Sequence, residues 1–415
     1  MSGLNPYSEY KESGVPWIGT MPSHWGLQKG KYHLAVSKEI VGDRHDQFDR
    51  LSLTMRGVLP RDKEDRDGLS PDSFSTYQVL RPGQLVFKLI DLENRATSRV
   101  GFSRDLGLVS SAYIVASTVD WLARYGYWFY TALYNEGIFN YLGSGVRSTL
   151  NADDLRSIDV PIPSGAEQEL IVDFLDRETE EIEAFIADQQ KLIALLGERR
   201  SASLLQSVLG RSDYELRGSL GRFLRKLNRT MTDETEVITA FRDGVVTARS
   251  NRREEGFTFS ETESGYQAVR SGDLVFHGLD GFSGATGVSE SDGKCSPVYH
   301  VCSVSDTVDS RYAAVYLRAL GQSGFLGAYA WSVRQRSVDY RNWKVFSKLP
   351  LNFPGLSTQC EVVARLEREC AEIDAAIAEA REAIALSKER RVALISATVM
   401  GKIDVSSYEA NALAA

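Results

Sequence analysis

The sequence predicts an α+β protein with a pseudo-twofold internal repeat: two similar globular domains, each followed by one long helix. Three observations lead there. A 44-residue segment occurs twice without a gap, at 167–210 and again 191 residues later at 358–401, with about 19 of the 44 positions identical. Both copies lack Pro, are poor in Gly and are rich in Ala, Leu, Glu, Arg and Ile, the composition of a helix interior. Short β-branched or aromatic runs broken by Gly, Ser and Asp precede each copy, at 85–90 and 112–118 and again at 273–279 and 297–304.

In chain order, a first globular domain with its N-terminal segment spans 1–163, followed by a long helix at 164–210 and a linker at 211–221. A second globular domain spans 222–354, a second long helix 355–404 and a tail 405–415, read as disordered. The strand-bearing stretches also repeat: 77–87 (YQVLRPGQLVF) matches 266–276 (YQAVRSGDLVF), whereas the loops flanking them do not match. Pro163 and Pro354 stand before the helices, and Gly210 and Gly401 end them. Alternating steps of four and three pick out Leu175, Thr179, Ile182, Ile186, Gln189, Ile193 and Leu196 in the first helix. The matching row in the second is Leu366, Cys370, Ile373, Ile377, Ala380, Ile384 and Ser387. This heptad seam predicts helix-to-helix pairing, imperfect at Gln189 and Ser387.

The 415 residues, 43% hydrophobic and 25% charged, have room for two or three full-sized cores. No apolar run reaches the roughly 18 residues of a membrane span and the N-terminus has no signal-peptide core, so no membrane association and a cytoplasmic location are expected. Cys295, Cys302, Cys360 and Cys370 form no CxxC pair and read as reduced structural thiols. The net charge of −8 sits in the helices: 164–210 contributes −6 and 355–404 contributes −2, leaving both domains near neutral. Total charge therefore decides nothing about nucleic acid, since a neutral domain can carry a basic face. Glu180, Glu181 and Glu183, on the acidic outer face of the first helix, are suited to a basic protein partner rather than to phosphate.

Several segments carry a family likeness. Residues 13–25 (SGVPWIGTMPSHW), 161–176 (PIPSGAEQELIVDFLD), 350–367 (PLNFPGLSTQCEVVARLE) and above all 389–405 (ERRVALISATVMGKIDV) occur in the order found in one family. The chain resembles the specificity (S) subunit of a type I DNA restriction-modification system. Residues 350–359 depart from the family's Pro-rich, Glu-Gln-bearing form, which the first copy keeps at Glu167-Gln168. The resemblance implies two target-recognition domains held apart by an antiparallel helix pair. Each domain reads one half of a split sequence in double-stranded DNA, and the helices set the unread spacer. It further implies that two methyltransferase (modification) subunits dock on the pair and that restriction subunits join them. The methyl donor and ATP belong to those partners, so no cofactor is expected here.

The residues themselves show no catalytic constellation. Asn5-Pro6-Tyr7 has one Pro too few for a flipped-adenine loop, and Gly287, Gly293, Lys294 and Cys295 have the wrong spacing for a phosphate loop. Gly281, Gly284 and Gly287 read as a turn-rich loop, and the five His (24, 33, 45, 277, 300) have no metal-ligand spacing, so no metal is expected. DNA reading needs Arg or Lys clamps on phosphate and forked or amide side chains on base edges. In the first domain the candidates are Lys88, Asn94, Arg95 and Arg99, after the 85–90 strand, with Arg147 in a Gly- and Ser-rich loop. In the second they are His277, at the place of Lys88, with Arg334, Arg336 and Arg341; Tyr329 and Trp331 stand beside them. The mixed charge run 61–67 reads as a solvated loop. Two alternatives remain at this level: a recognition protein of a related DNA-defence system, and a coiled-coil adaptor whose two domains bind proteins.

Overall fold

A computed structural model describes residues 5–62, 73–93, 98–143, 149–231, 236–252, 265–329, 333–334 and 337–406. The chain divides into two compact units: residues 1–188 with 382–415, and residues 189–381. The long helices Gly165–Leu209 and Leu356–Val399 supply residues to both.

In unit one, Leu34–Ser37, Ile114–Thr118, Leu85–Phe87 and Val100–Phe102 form an antiparallel four-stranded sheet in that order. A second four-stranded sheet runs Gly57–Arg61, Arg50–Thr54, Gly107–Val109, Gln78–Leu80, with one parallel pairing at Leu108–Arg50. The run LVF at 85–87 is apolar throughout because both of its faces are covered. Leu85 and Phe87 join the core under helix Ala123–Asn135, whereas Val86 joins Leu51, Leu53, Leu80 and Val109 of the other sheet. At roughly 25 cal/mol per Å² of buried apolar area, such a doubly covered strand is a main contributor to the unit's stability.

Unit two repeats the plan. Leu224–Lys226, Tyr299–Val304, Leu274–His277 and Thr286–Val288 form the corresponding sheet in the corresponding order. Ile238–Ala240 with Val246–Ala248, and Gln267–Val269 with Gly293–Cys295, form two antiparallel pairs joined by a parallel bridge at Val237–Lys294. Leu274 and Phe276 face the core under helix Ser310–Gln322, and Val275 faces the other way. The buried thiols of Cys295 and Cys302 are both pushed up to about 12 by desolvation, which keeps them protonated at neutral pH.

Each long helix is launched from a strand pair: Gly26–Lys29 with Asp159–Ile162 in unit one, and Leu216–Ser219 with Pro350–Phe353 in unit two. The first helix opens with a capping box, in which the Ser164 hydroxyl accepts from the Glu167 amide and Glu167 accepts from the Ser164 amide. The Glu167 carboxylate also accepts from Trp25 Nε1 at 3.1 Å, tying the N-terminal segment to the helix start. Just past the end of the second helix stands Gly401, whose φ of +68° suits a residue without Cβ; a Cβ there would also strike Pro22 at 2.3 Å.

The fold class read from the sequence is the one observed, including the two long antiparallel helices. Unit two shows the direction directly: Ser203 bonds Glu369 while Ser207 bonds Arg365, so rising numbers on one helix meet falling numbers on the other. Of the seam residues, Leu175, Thr179, Ile182, Leu366, Ile373 and Ala380 are buried. Ile186, Ile193, Ile377 and Ile384 are partly covered, as are Gln189, Leu196, Cys370 and Ser387. Thr179 satisfies its hydroxyl on the Leu175 carbonyl at 2.6 Å, which lets a polar side chain sit in an apolar seam. Among the described residues, no helix is long and apolar enough to cross a membrane.

Candidate functional site

The candidate residues that the structure describes flank one end of each domain's first sheet, where one backbone hydrogen bond ties two stretches of chain together. In unit one the Leu150 amide donates to the Leu89 carbonyl at 3.0 Å, which brings Leu150 against the chain that follows Leu85–Phe87. In unit two the Tyr340 amide donates to the Gly278 carbonyl at 2.7 Å, the same connection at the same place in the repeat. Only glycine fits at 278, because a Cβ would meet the Val298 carbonyl at 2.7 Å and the Arg341 Cα at 3.1 Å. An asparagine fixes the downstream end of the second loop in both units. Asn151 caps helix Ala152–Ser157 and Asn342 caps Trp343–Phe346.

Lys88 is half-buried at the end of its strand; burial pushes its pKa down and the neighbouring Arg99 pushes it further. A lysine so placed gains from meeting an anion. Arg99, expected at the loop surface, is instead fully buried: it donates to the Asp91 carbonyl and so supports a residue held at φ +54°. Its guanidinium braces the turn from inside. Asn94, Arg95 and Arg147 lie outside the described residues, as do Arg336 and Trp331 and most of the charge run 61–67. Arg334 is described only by its backbone, in the short pair Val333–Arg334 with Ser337–Val338.

His277 is partly buried and its Nδ1 accepts the amides of Leu279 (3.2 Å) and Asp280 (2.9 Å), which places the proton on Nε2. Desolvation lowers its pKa, in keeping with an imidazole that must stay neutral to accept those bonds. Arg341 is exposed and forked onto Asp339, at 2.7 Å and 3.0 Å for its closest contacts, so part of its charge is spent within the loop. Tyr329 stacks on Phe325 with ring centroids 5.6 Å apart.

Two features escaped the sequence reading. A buried glutamine clamps the start of each long helix. Gln168 accepts from the Leu122 amide at 2.9 Å and donates to the Pro163 carbonyl at 3.1 Å; Gln359 accepts from the Asp309 amide at 2.9 Å and donates to the Pro354 carbonyl at 2.8 Å. The departure at 350–359 thus keeps the buried glutamine and its contacts to the Asp309 amide and the Pro354 carbonyl; the shared Gln at the 191-residue offset was the available signal. The second is an ion pair from each domain helix to the long helix beside it, Arg124–Asp176 in unit one and Arg311–Glu367 in unit two.

Residues 109–191 match the family described as "Type I restriction modification DNA specificity domain". Among curated proteins, no match is found. Among solved structures, one reported as "Structural basis underlying complex assembly and conformational transition of the type I R-M system" is 13% identical, covers 91% of this chain and 98% of its own, and superposes with a TM-score of 0.61. The HsdS subunit from Thermoanaerobacter tengcongensis is 14% identical, with 92% and 98% covered and a TM-score of 0.54. Residues 109–191 thus match the DNA specificity domain of type I restriction modification, and the chain shares its fold along nearly the whole length of these two structures.

Proposed function

We propose that the chain is a non-catalytic subunit that reads a split double-stranded DNA target, one half through each domain, and carries methyltransferase and restriction subunits on its acidic helices. One observation carries this reading. The same backbone bond, Leu150 to Leu89 in unit one and Tyr340 to Gly278 in unit two, joins corresponding points of the chain beside the same sheet in both units, while the loop sequences differ between them. A constant scaffold bearing two different loop sets suits two independent readers. Lys88 in unit one, and His277, Arg334 and Arg341 in unit two, are the candidate contacts within the described residues; Asn94, Arg95, Arg147 and Arg336 complete the set from the sequence. The Nε2–H of His277 and the fork of Arg341 offer donors to base edges or phosphate.

Mapping methylated adenines in DNA exposed to the chain together with its methyltransferase partner tests the proposal. Two short motifs with a constant gap are expected, and one continuous motif would refute the two-reader scheme. Binding of random duplexes by the chain alone is expected to weaken steeply with salt; a flat log–log dependence would instead favour a protein-binding adaptor.

A further inference from the structure

Unit two contains a second polar site, lined by none of His277, Arg334 and Arg341. A cavity of about 560 Å³ opens between strand Thr286–Val288, the turn at Gly244 and helix Ser310–Gln322, lined among others by Gly244, Thr286, Ser289, Arg311, Arg318 and Glu367. Arg318 lies along the backbone of Gly244, so close that a Cβ there would meet its Nη1 at 2.4 Å; Gly244 has a φ of +92°. The guanidinium is largely withdrawn from water, and among the described residues Arg318 has neither an acceptor nor an ion-pair partner, its Nε being buried and unsatisfied. The Thr286 side chain is 0% exposed, and its hydroxyl also has no partner. The charged groups around it are committed elsewhere: Asp243, the nearest carboxylate, to Arg252, Arg200 to Asp374, and Arg311 to Glu367. A buried donor without an acceptor costs free energy, and a planar guanidinium fork matches the oxygens of a tetrahedral anion. In unit one Thr131 stands in the repeat where unit two has Arg318, and its hydroxyl bonds its own helix at the Tyr127 carbonyl.

We infer that this cavity seats a phosphate-class oxyanion, held by the Arg318 guanidinium with the Thr286 hydroxyl. The seat stands independently of the proposed DNA reading, since the oxyanion is either free phosphate or a phosphate of a bound backbone.

The test uses the full chain and four forms: wild type, Arg318→Gln, Arg318→Lys and the nearly isosteric Thr286→Val. With 10 mM inorganic phosphate against equimolar acetate at matched ionic strength, the wild type is expected to gain roughly 3 °C in melting temperature. Arg318→Gln is expected to lose that gain, Arg318→Lys to keep part of it, and Thr286→Val to show a reduced gain. Thr286→Val should melt no lower than wild type without phosphate, because it removes an unpartnered buried hydroxyl, so its readout survives if Arg318→Gln does not fold. An equal gain in wild type, Arg318→Gln and Thr286→Val, or an equal gain in acetate, overturns the inference. With a random duplex, a salt slope shallower by about 1 in Arg318→Gln identifies the oxyanion as a backbone phosphate; an unchanged slope with a lost phosphate gain identifies free phosphate. If the wild type binds no DNA at all, the DNA reading fails while the phosphate arm still decides the seat.

Discussion

The two units share a plan and differ in how each domain helix grips the long helix beside it. In unit one, Arg124 forks onto Asp176 at 2.9–3.1 Å, Trp128 donates to the same carboxylate at 2.8 Å, and the rings of Phe102, Tyr127 and Trp128 lie within 4.8–5.3 Å of the guanidinium. In unit two, Arg311 reaches Glu367 through a single nitrogen at 3.2 Å and 3.4 Å, and both side chains are more than half exposed. An ion pair enclosed by aromatic rings keeps more of its attraction than one in water. Sequence identity between the copies therefore does not measure equality of function: the paired arginines do the same job with different strength, and unit two uses the space for an open cavity.

The largest effect is expected where the units agree. Replacing Gln168 or Gln359 by Ala strips a buried amide from its partners and should cost about 3 kcal/mol in each case, measured by urea unfolding. A large loss in one and none in the other would break the equivalence of the two clamps. The next effect falls where the units differ. Asp176→Asn should destabilise by about 2 kcal/mol and Glu367→Gln by less than about 0.5 kcal/mol; equal losses would remove the contrast drawn from the aromatic seat.

The smallest effect is on pH. His277 and His300, both in unit two, have pKa values lowered by burial. Each binds its proton more weakly folded than unfolded, so the stability it contributes is fully present above the unfolded value near 6.5 and falls as pH drops through the interval down to the folded pKa. His277→Asn keeps an acceptor for the turn amides and should flatten part of the drop in melting temperature between pH 7.5 and 5.5. An unchanged pH profile would show that His277 does not stay neutral in the fold.

Much of the fold was legible because it is written in periodicity. The heptad row names Leu175, Ile182, Leu366 and Ile373, and these are buried, since a helix can present only one stripe to its partner. The strand runs at 85–87 and 274–277 were legible from continuous apolar residues, which mean two covered faces. The candidate site was less legible. Arg99 looks like any loop arginine in sequence, and only the path of the chain around Asp91 takes it inside. Gln359 was hidden in a lead-in that differs from the first copy, because a buried amide needs only its own partners and tolerates changed neighbours.

The sequence by itself determined the repeat, the two helices and their seam, and the separation of acidic helices from near-neutral domains, because each follows from residue type and local spacing. Only the tertiary structure decided that Leu89 meets Leu150, that Gly278 meets Tyr340, and that Arg318 and Thr286 line one cavity. Those juxtapositions join residues about 30 to 60 positions apart. Their geometry is set by how sheets and helices close on a shared core, which local spacing does not encode.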